Sequence, residues 1–286
     1  MFSIDSIGAP IIIIAFLVEY VIALRSGMNE DLPKDMLANF ALGLGVLVTG
    51  LLMKGVAFAL YSTIYSKALF QPALSAGLWV AGLLSCDLVL YWYHRLGHQT
   101  RLFWAAHVTH HSSLHFNLSV GLRVNCIHSF YRFLFWSPLC WLGIPPWMIL
   151  FFESATAMWN VFIHTERVGK LGPLDWIFNT LSNHRVHHAS NPEYIDKNLG
   201  GILIIYDHLF GTYVPETGKV DYGITKNIHT HDPREILLHE YKALFRELKQ
   251  VKGWRDKLSY LFSPPGTSPK PETAGATIGQ EVMEAV

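Results

Sequence analysis

Long apolar runs decide what this chain can fold into. Residues 7–24 are apolar apart from Glu19, and residues 37–61 form a second run rich in Gly, Leu and Val. A third starts near Ala73 and ends on Tyr91, Trp92 and Tyr93, aromatics typical of a membrane–water boundary. About 20 apolar residues suffice to cross the hydrocarbon of a bilayer. Only 15% of the residues are charged, against about 25% in soluble domains. Met1 to Pro10 has no Lys or Arg, so the first run reads as an uncleaved transmembrane helix and not as a signal peptide.

The segment from Phe130 to Phe152 is apolar but carries Pro138, Pro145 and Pro146. It predicts two short half-spanning helices around a turn, followed by a helix up to His164. The expected fold is therefore an all-α integral membrane bundle of four to five membrane-embedded helices, with a cytosolic, histidine-rich helical cap. Basic residues set the orientation. Arg25 and Lys34 flank the first loop, the second has only Lys67, and most Lys and Arg follow His94. This predicts a multi-pass chain with its N-terminus outside and its histidine clusters facing the cytoplasm.

Four regions follow: N-terminal transmembrane helices over 1–72, a histidine-rich core over 73–232, an amphipathic helix over 233–262 and a disordered tail over 263–286. The helix start at Asp232-Pro233-Arg234-Glu235 has the makings of a capping box. Its apolar stripe of Leu237, Tyr241, Leu244, Leu248 and Val251 suits docking on the cap or on the membrane surface equally. The formal net charge is zero, which argues against a nucleic-acid partner. Cys86, Cys126 and Cys140 are scattered in apolar surroundings, as buried free thiols would be.

Fifteen histidines are the anomaly. His94 and His98 form one cluster, His107, His110 and His111 a second, and His184, His187 and His188 a third. On a helix, residues three and four apart share a face with Cβ atoms about 6 Å apart. Each cluster thus points two or three imidazoles at one place, as a metal site requires. His164, at the end of an apolar helix, is a ninth candidate. Nine ligands are too many for one ion, and two ions with four or five each fit the count. Imidazole suits iron, zinc and copper alike. Iron is favoured because the C–H bonds of a membrane lipid yield only to oxygen and a redox metal. Asp87, Asn160 and Asp196 are candidate cofactor-binding residues beside the ligands, with Asp87 expected to fix an imidazole tautomer. Arg95, Arg123 and Arg185 suit either a lipid phosphate or internal ion pairs. His115, His128, His208, His229, His231 and His239 share no spacing.

These motifs resemble the fatty acid hydroxylase/sterol desaturase superfamily, with its HxxxH box and two HxxHH boxes. Longer strings, among them YHRLGH at 93–98, HVTHHSSLHFNLSVGLR at 107–123 and NHRVHHASNPEYIDKNLGGILIIYDHLFGTY at 183–213, are similar to its ether-lipid-cleaving, alkylglycerol monooxygenase-like branch. The resemblance covers roughly residues 85–232. It implies a di-iron site held by His94, His98, His107, His110, His111, His164, His184, His187 and His188, with O2 as oxidant. The implied external reductant is tetrahydrobiopterin or a cytochrome b5- or ferredoxin-type donor. Other branches have a histidine where this chain has Asn160, and Gln99 replaces a glutamate of the ether-lipid branch. The expected activity is hydroxylation or desaturation of an ether lipid, sterol or fatty acyl chain drawn from the bilayer. A di-zinc hydrolase and a non-catalytic metal-binding or transport protein are the rival readings.

Overall fold

A computed structural model describes residues 4–27 and 29–269. Among the described residues the chain is all-helical, without a strand; its only extended pairings are the isolated bridges Phe178–Leu203 and Ala189–Tyr222. Three long helices come first: α1 (Ile4–Arg25), α2 (Asp31–Tyr65) and α3 (Ala76–Gln99). After a one-residue break at Thr100 the chain turns into α4 (Arg101–His111). Short 3-10 turns at Leu118–Leu122 and Cys126–Phe130 lead into α5 (Phe133–Trp141) and α6 (Pro146–Phe162). The rest comprises a 3-10 turn at Gly172–Trp176, then α7 (Leu181–His187), α8 (Ile205–Phe210), α9 (Pro233–Leu248) and α10 (Trp254–Leu261).

The proline-rich segment departs from expectation. Pro145 and Pro146 begin α6 and do not break it, because proline fits the first helical positions, where no N–H bond is needed. One continuous helix then runs to Phe162. Pro138 sits inside α5, and the Leu134 carbonyl that it deprives of an N–H accepts the Ser137 hydroxyl at 2.7 Å.

Two contacts define the end of the bundle away from the histidines. Leu69 N–H donates to the Trp141 carbonyl at 2.9 Å. Gly143 turns there with φ +101°, and a Cβ would come within 2.7 Å of the Phe70 carbonyl oxygen. The apolar core of this end joins Tyr61 of α2, Cys86 of α3, Trp136 and Cys140 of α5, and Met148 and Ile149 of α6. Buried polar groups in it are paired: Tyr61 Oη–H donates to the Phe133 carbonyl and Trp136 Nε1–H to that of Cys86. All three cysteines are free.

The opposite end is the cap. Here α9 is docked, with Ile236 against Ala38 and Leu42 of α2, and Leu244 against Ala105 of α4. The stripe read as fit for docking or for lipid is covered by protein. Asp232 caps the helix through the Arg234 N–H, while Glu235 pairs with Lys242 at 2.8 Å and leaves the capping box unformed. The expected tail begins as an ordered segment, because Ser263 and Thr267 accept bonds from Arg101; from residue 270 onward it lies outside the described residues.

The outer surface of the bundle is apolar. Ile13, Ile14 and Leu17 of α1, and Leu44, Leu51 and Leu52 of α2, are each more than half exposed. By length and composition, α2 and α3 are able to cross a membrane.

Candidate metal centre

The histidines converge where the ends of α3, α4, α6 and α7 meet. His94 and His98 lie one turn apart near the end of α3, and the break at Thr100 folds α4 back so that its own histidines face them. His164 follows α6, and α7 is little more than a carrier for His184, His187 and His188. The result is two groups. His94, His98, His107, His111 and His187 form one, His110, His164, His184 and His188 the other, and ligand atoms within each lie within 4.8 Å of one another. The groups touch, with His111 and His188 stacked at 4.5 Å between ring centroids.

What stands behind each ring fixes its tautomer. His94 Nδ1–H donates to the Leu199 carbonyl at 2.8 Å, His187 to that of Lys197 at 3.0 Å and His110 to that of Arg123 at 3.2 Å. His164 donates to the Asn160 carbonyl and His98 to the Asp196 carboxylate at 3.1 Å. With Nδ1 committed as donor, each Nε2 presents a lone pair to the interior. His110 and His164 then face each other Nε2 to Nε2 at 3.2 Å with no proton to share. His94 and His98 present theirs to His107 at 2.9 and 3.1 Å, and the buried Nε2 of His187 has no partner.

Converging lone pairs repel unless a cation lies among them. Metal–imidazole bonds of about 2.1 Å put adjacent ligand nitrogens roughly 2.9–3.4 Å apart, and the spacing here is 2.9–3.2 Å. The donor set therefore fits one metal ion in each group. Burial, and then the neighbouring imidazoles, push His107, His110, His111, His184, His187 and His188 well below the ordinary histidine value, which keeps them in the neutral form a metal needs.

Residues 79–212, which hold all nine of these imidazoles, match the fatty acid hydroxylase family. The match takes in a little under half of the chain. The chain is 38% identical over 253 residues to alkylglycerol monooxygenase of Danio rerio, covering 88% of this chain and 53% of the relative. It is 34% identical over 280 residues to alkylglycerol monooxygenase of Homo sapiens, covering 97% and 62%. The ornithine lipid hydroxylase OlsE of Rhizobium tropici is 32% identical over 187 residues, covering 57% and 56%. The chain thus spans little more than half the length of these relatives. No solved structure matches it.

Around these imidazoles, the structure departs from the sequence reading at several residues. Asp87 does not reach an imidazole: its carboxylate accepts the N–H groups of Ile202 and Leu203 at 2.8 and 3.0 Å. It acts on the loop that carries Leu199, and so on His94 only through the backbone. Asn160 serves through its main-chain carbonyl. Asp196 alone of the three touches a ring through its side chain. Arg123 and Arg185 are buried and internally paired, with Asp35 at 3.0 Å and Glu216 at 2.8 Å, which leaves neither for a lipid phosphate. The carbonyls of Arg123, Lys197 and Leu199 carry no sequence signal, since every residue has one.

A cavity of about 280 Å³ opens beside both groups, reaching His94 and His107 of one and His110 and His184 of the other. Its remaining wall is largely apolar, with Val46, Leu90, Phe103, Leu122 and Val161, joined by the polar residues Tyr93, Asn125, His128, Arg132, Thr156 and Asn160. Among the described residues no carboxylate lines it. Phe116 packs on His164 and His188, with Tyr222 stacked flat on Phe116 at 4.9 Å.

Proposed function

We propose that this chain is a multi-pass membrane oxygenase that holds two iron ions and inserts an oxygen atom from O2 into a C–H bond of a lipid. The observation that carries the reading is the apolar cavity that ends on two groups of inward-facing imidazole lone pairs. The ligands are His94, His98, His107, His111 and His187 for one ion, and His110, His164, His184 and His188 for the other. When bound, the iron supplies the redox chemistry that activates O2.

The chain's own residues do the rest. The walls formed by Val46, Leu90, Phe103 and Leu122 receive an alkyl chain and exclude water. His94, His107, His110 and His184 border that space, so the substrate carbon lies against the metal ligands and not against a proton-transferring carboxylate. Each turnover takes two electrons and two protons, consumes RH and O2, and gives ROH and water. The electrons come from an external donor, tetrahydrobiopterin or a cytochrome b5- or ferredoxin-type protein. An ether lipid is the first substrate to test, because the alkylglycerol monooxygenase relatives align with most of this chain.

Two observations weigh against the rivals. A di-zinc hydrolase needs a general base beside a metal-bound water, and the cavity offers no carboxylate. A transporter needs ligands strung along a path, and here they are gathered in one place.

The test uses the full chain in lipid nanodiscs with ferrous iron, a reductant and an alkylglycerol. Product should form only with O2 and reductant present, with O2 consumed in step with it, and His110→Ala and His187→Ala should each abolish product. Product that forms equally well without O2 would establish a hydrolase and overturn the reading.

A further inference from the structure

The five-histidine group has a holder of its own. The loop Asp196–Gly200 runs behind it and supplies three acceptors within four residues: the Asp196 carboxylate to His98, the Lys197 carbonyl to His187 and the Leu199 carbonyl to His94. The acceptors of the four-histidine group come from elsewhere, from Arg123 and Asn160. To present three acceptors in so short a stretch the backbone must turn sharply, and Asp196 and Asn198 lie at φ +58° and +54°. That left-handed region is tolerated by few side chains, Asn and Asp foremost.

Such a conformation persists only if its surroundings hold it. Asp207, wholly buried, accepts the Leu199 and Gly200 N–H groups at 2.7 and 2.8 Å and the Thr212 hydroxyl at 2.6 Å. The Asn198 side chain turns away from the histidines: its amide donates to the Asn183 and Val214 carbonyls and its oxygen accepts the Val214 N–H. Neither residue touches an imidazole through its side chain. Both set where the Leu199 and Lys197 carbonyls stand, and so how His94 and His187 are turned.

We propose that Asp207 and Asn198 are positioning residues for the ion of the five-histidine group alone, so that this ion can be lost while the other is kept. The inference rests on the two-ion reading given above. Asp207→Asn puts an amide NH2 where a carboxylate oxygen stood. Whichever way the amide faces, Leu199 or Gly200 loses its acceptor and the loop must shift. Loss of a partner behind a metal ligand typically weakens the metal about 10- to 100-fold.

The experiment titrates the full-length, metal-stripped chain in detergent with ferrous iron under anaerobic conditions, and counts ions bound per chain. The wild type should take two ions. Asp207→Asn should keep one with unchanged affinity and bind the second about 10- to 100-fold more weakly. Adding His188→Ala to Asp207→Asn should remove the retained ion, whereas adding His94→Ala should not. Asn198→Asp, which disturbs a different anchor of the same loop, should give the same pattern and decides the matter if Asp207→Asn does not fold. Two ions held as in the wild type, or two weakened alike, would overturn the proposal. A wild-type chain that binds no iron would sink the metal reading itself, and this inference with it.

Discussion

A cluster of nine imidazoles, six of them buried, has a consequence for the metal-free chain that can be measured through pH. In the folded state burial holds His107, His110, His111, His184, His187 and His188 well below the ordinary value of 6.5, and in the unfolded state they return to it. Below 6.5 the unfolded chain therefore binds more protons than the folded one, and stability falls as the pH falls. Above that value both states are neutral and the dependence vanishes. The unfolding midpoint of the metal-free chain, followed by thermal scans from about pH 8 to about pH 5, should be level at first and then drop. A level midpoint throughout would mean that the rings are solvated and the cluster is open. Gly121 gives a second residue-scale expectation. A Cβ there would stand 2.8 Å from Val161 Cα and 3.3 Å from His164 Nδ1, so Gly121→Ala pushes on the ring that faces His110. Overpacking of this kind costs about 1–3 kcal/mol. It should loosen the ion of the four-histidine group first, as metal analysis after dialysis would show. Eight of the imidazoles are legible in the sequence because i, i+3 and i+4 spacing has a direct geometric meaning, and His164 is legible only from its place at the end of an apolar helix. The hydrogen-bond acceptors of these rings are not, because they are mostly main-chain carbonyls, and the Asp87 side chain was credited with a contact that the backbone of the 199–203 loop makes.

At the scale of elements, α2 shows where pattern reading stops. Its apolar run predicts a helix over 37–61, and the helix spans Asp31–Tyr65. The added first turns carry Asp35 and Asn39, which meet Arg123 at 3.0 and 2.8 Å, Ser113 at 2.8 Å and Ser119 at 2.9 Å in a buried polar knot. The partners lie some 80 residues away in sequence, so no local pattern announces them. This knot anchors α2 to the segment whose Arg123 carbonyl orients His110. Breaking a buried ion pair by removing one partner costs about 3–5 kcal/mol, chiefly because the other charge is left alone. Asp35→Ala should therefore lower the unfolding midpoint sharply and weaken metal binding at His110. Asp35→Leu with Arg123→Met, which removes both charges, should recover part of that loss. Equal losses in the single and double variants would show that the charge left behind is not the cause. Helix α6 teaches a related lesson. Three prolines in a short apolar stretch read as breaks, yet two of them sit at a helix start, and position within the helix decides what a proline does.

The whole molecule has a polar end and an apolar girth, and that polarity predicts how it sits in a bilayer. A helix of 35 residues is roughly 50 Å long, well beyond the ~30 Å of hydrocarbon. Its apolar outer face, with Leu44, Leu47, Leu51 and Leu52 exposed, is suited to fill the hydrocarbon span, which would leave its first turns clear of it among the buried polar groups of the cap. Helix α3 returns from Ala76 to carry His94 and His98 back to that same end. The loop at 66–75 and the turn at 142–145 meet at the other end, through the Leu69–Trp141 hydrogen bond. Lipid tolerates backbone only where its polar groups are satisfied internally, and these passes are helical throughout. The expected topology therefore has the loop at 66–75 on one face of the membrane. It puts the α1–α2 connection, α9 and both histidine groups on the other, which the excess of Lys and Arg predicts to be the cytoplasmic one. Single cysteines placed at Lys67, at Asn29 and at Lys226, in a chain whose own three cysteines are replaced by alanine, test this with a thiol reagent that cannot cross membranes. In sealed cells the position at 67 should label, and those at 29 and 226 only after the membrane is permeabilised. Labelling of all three from one side would remove the bilayer from between the cap and the 66–75 loop. The lipid would then have to reach the cavity through water, against the apolar character of α2 and α3 beside it.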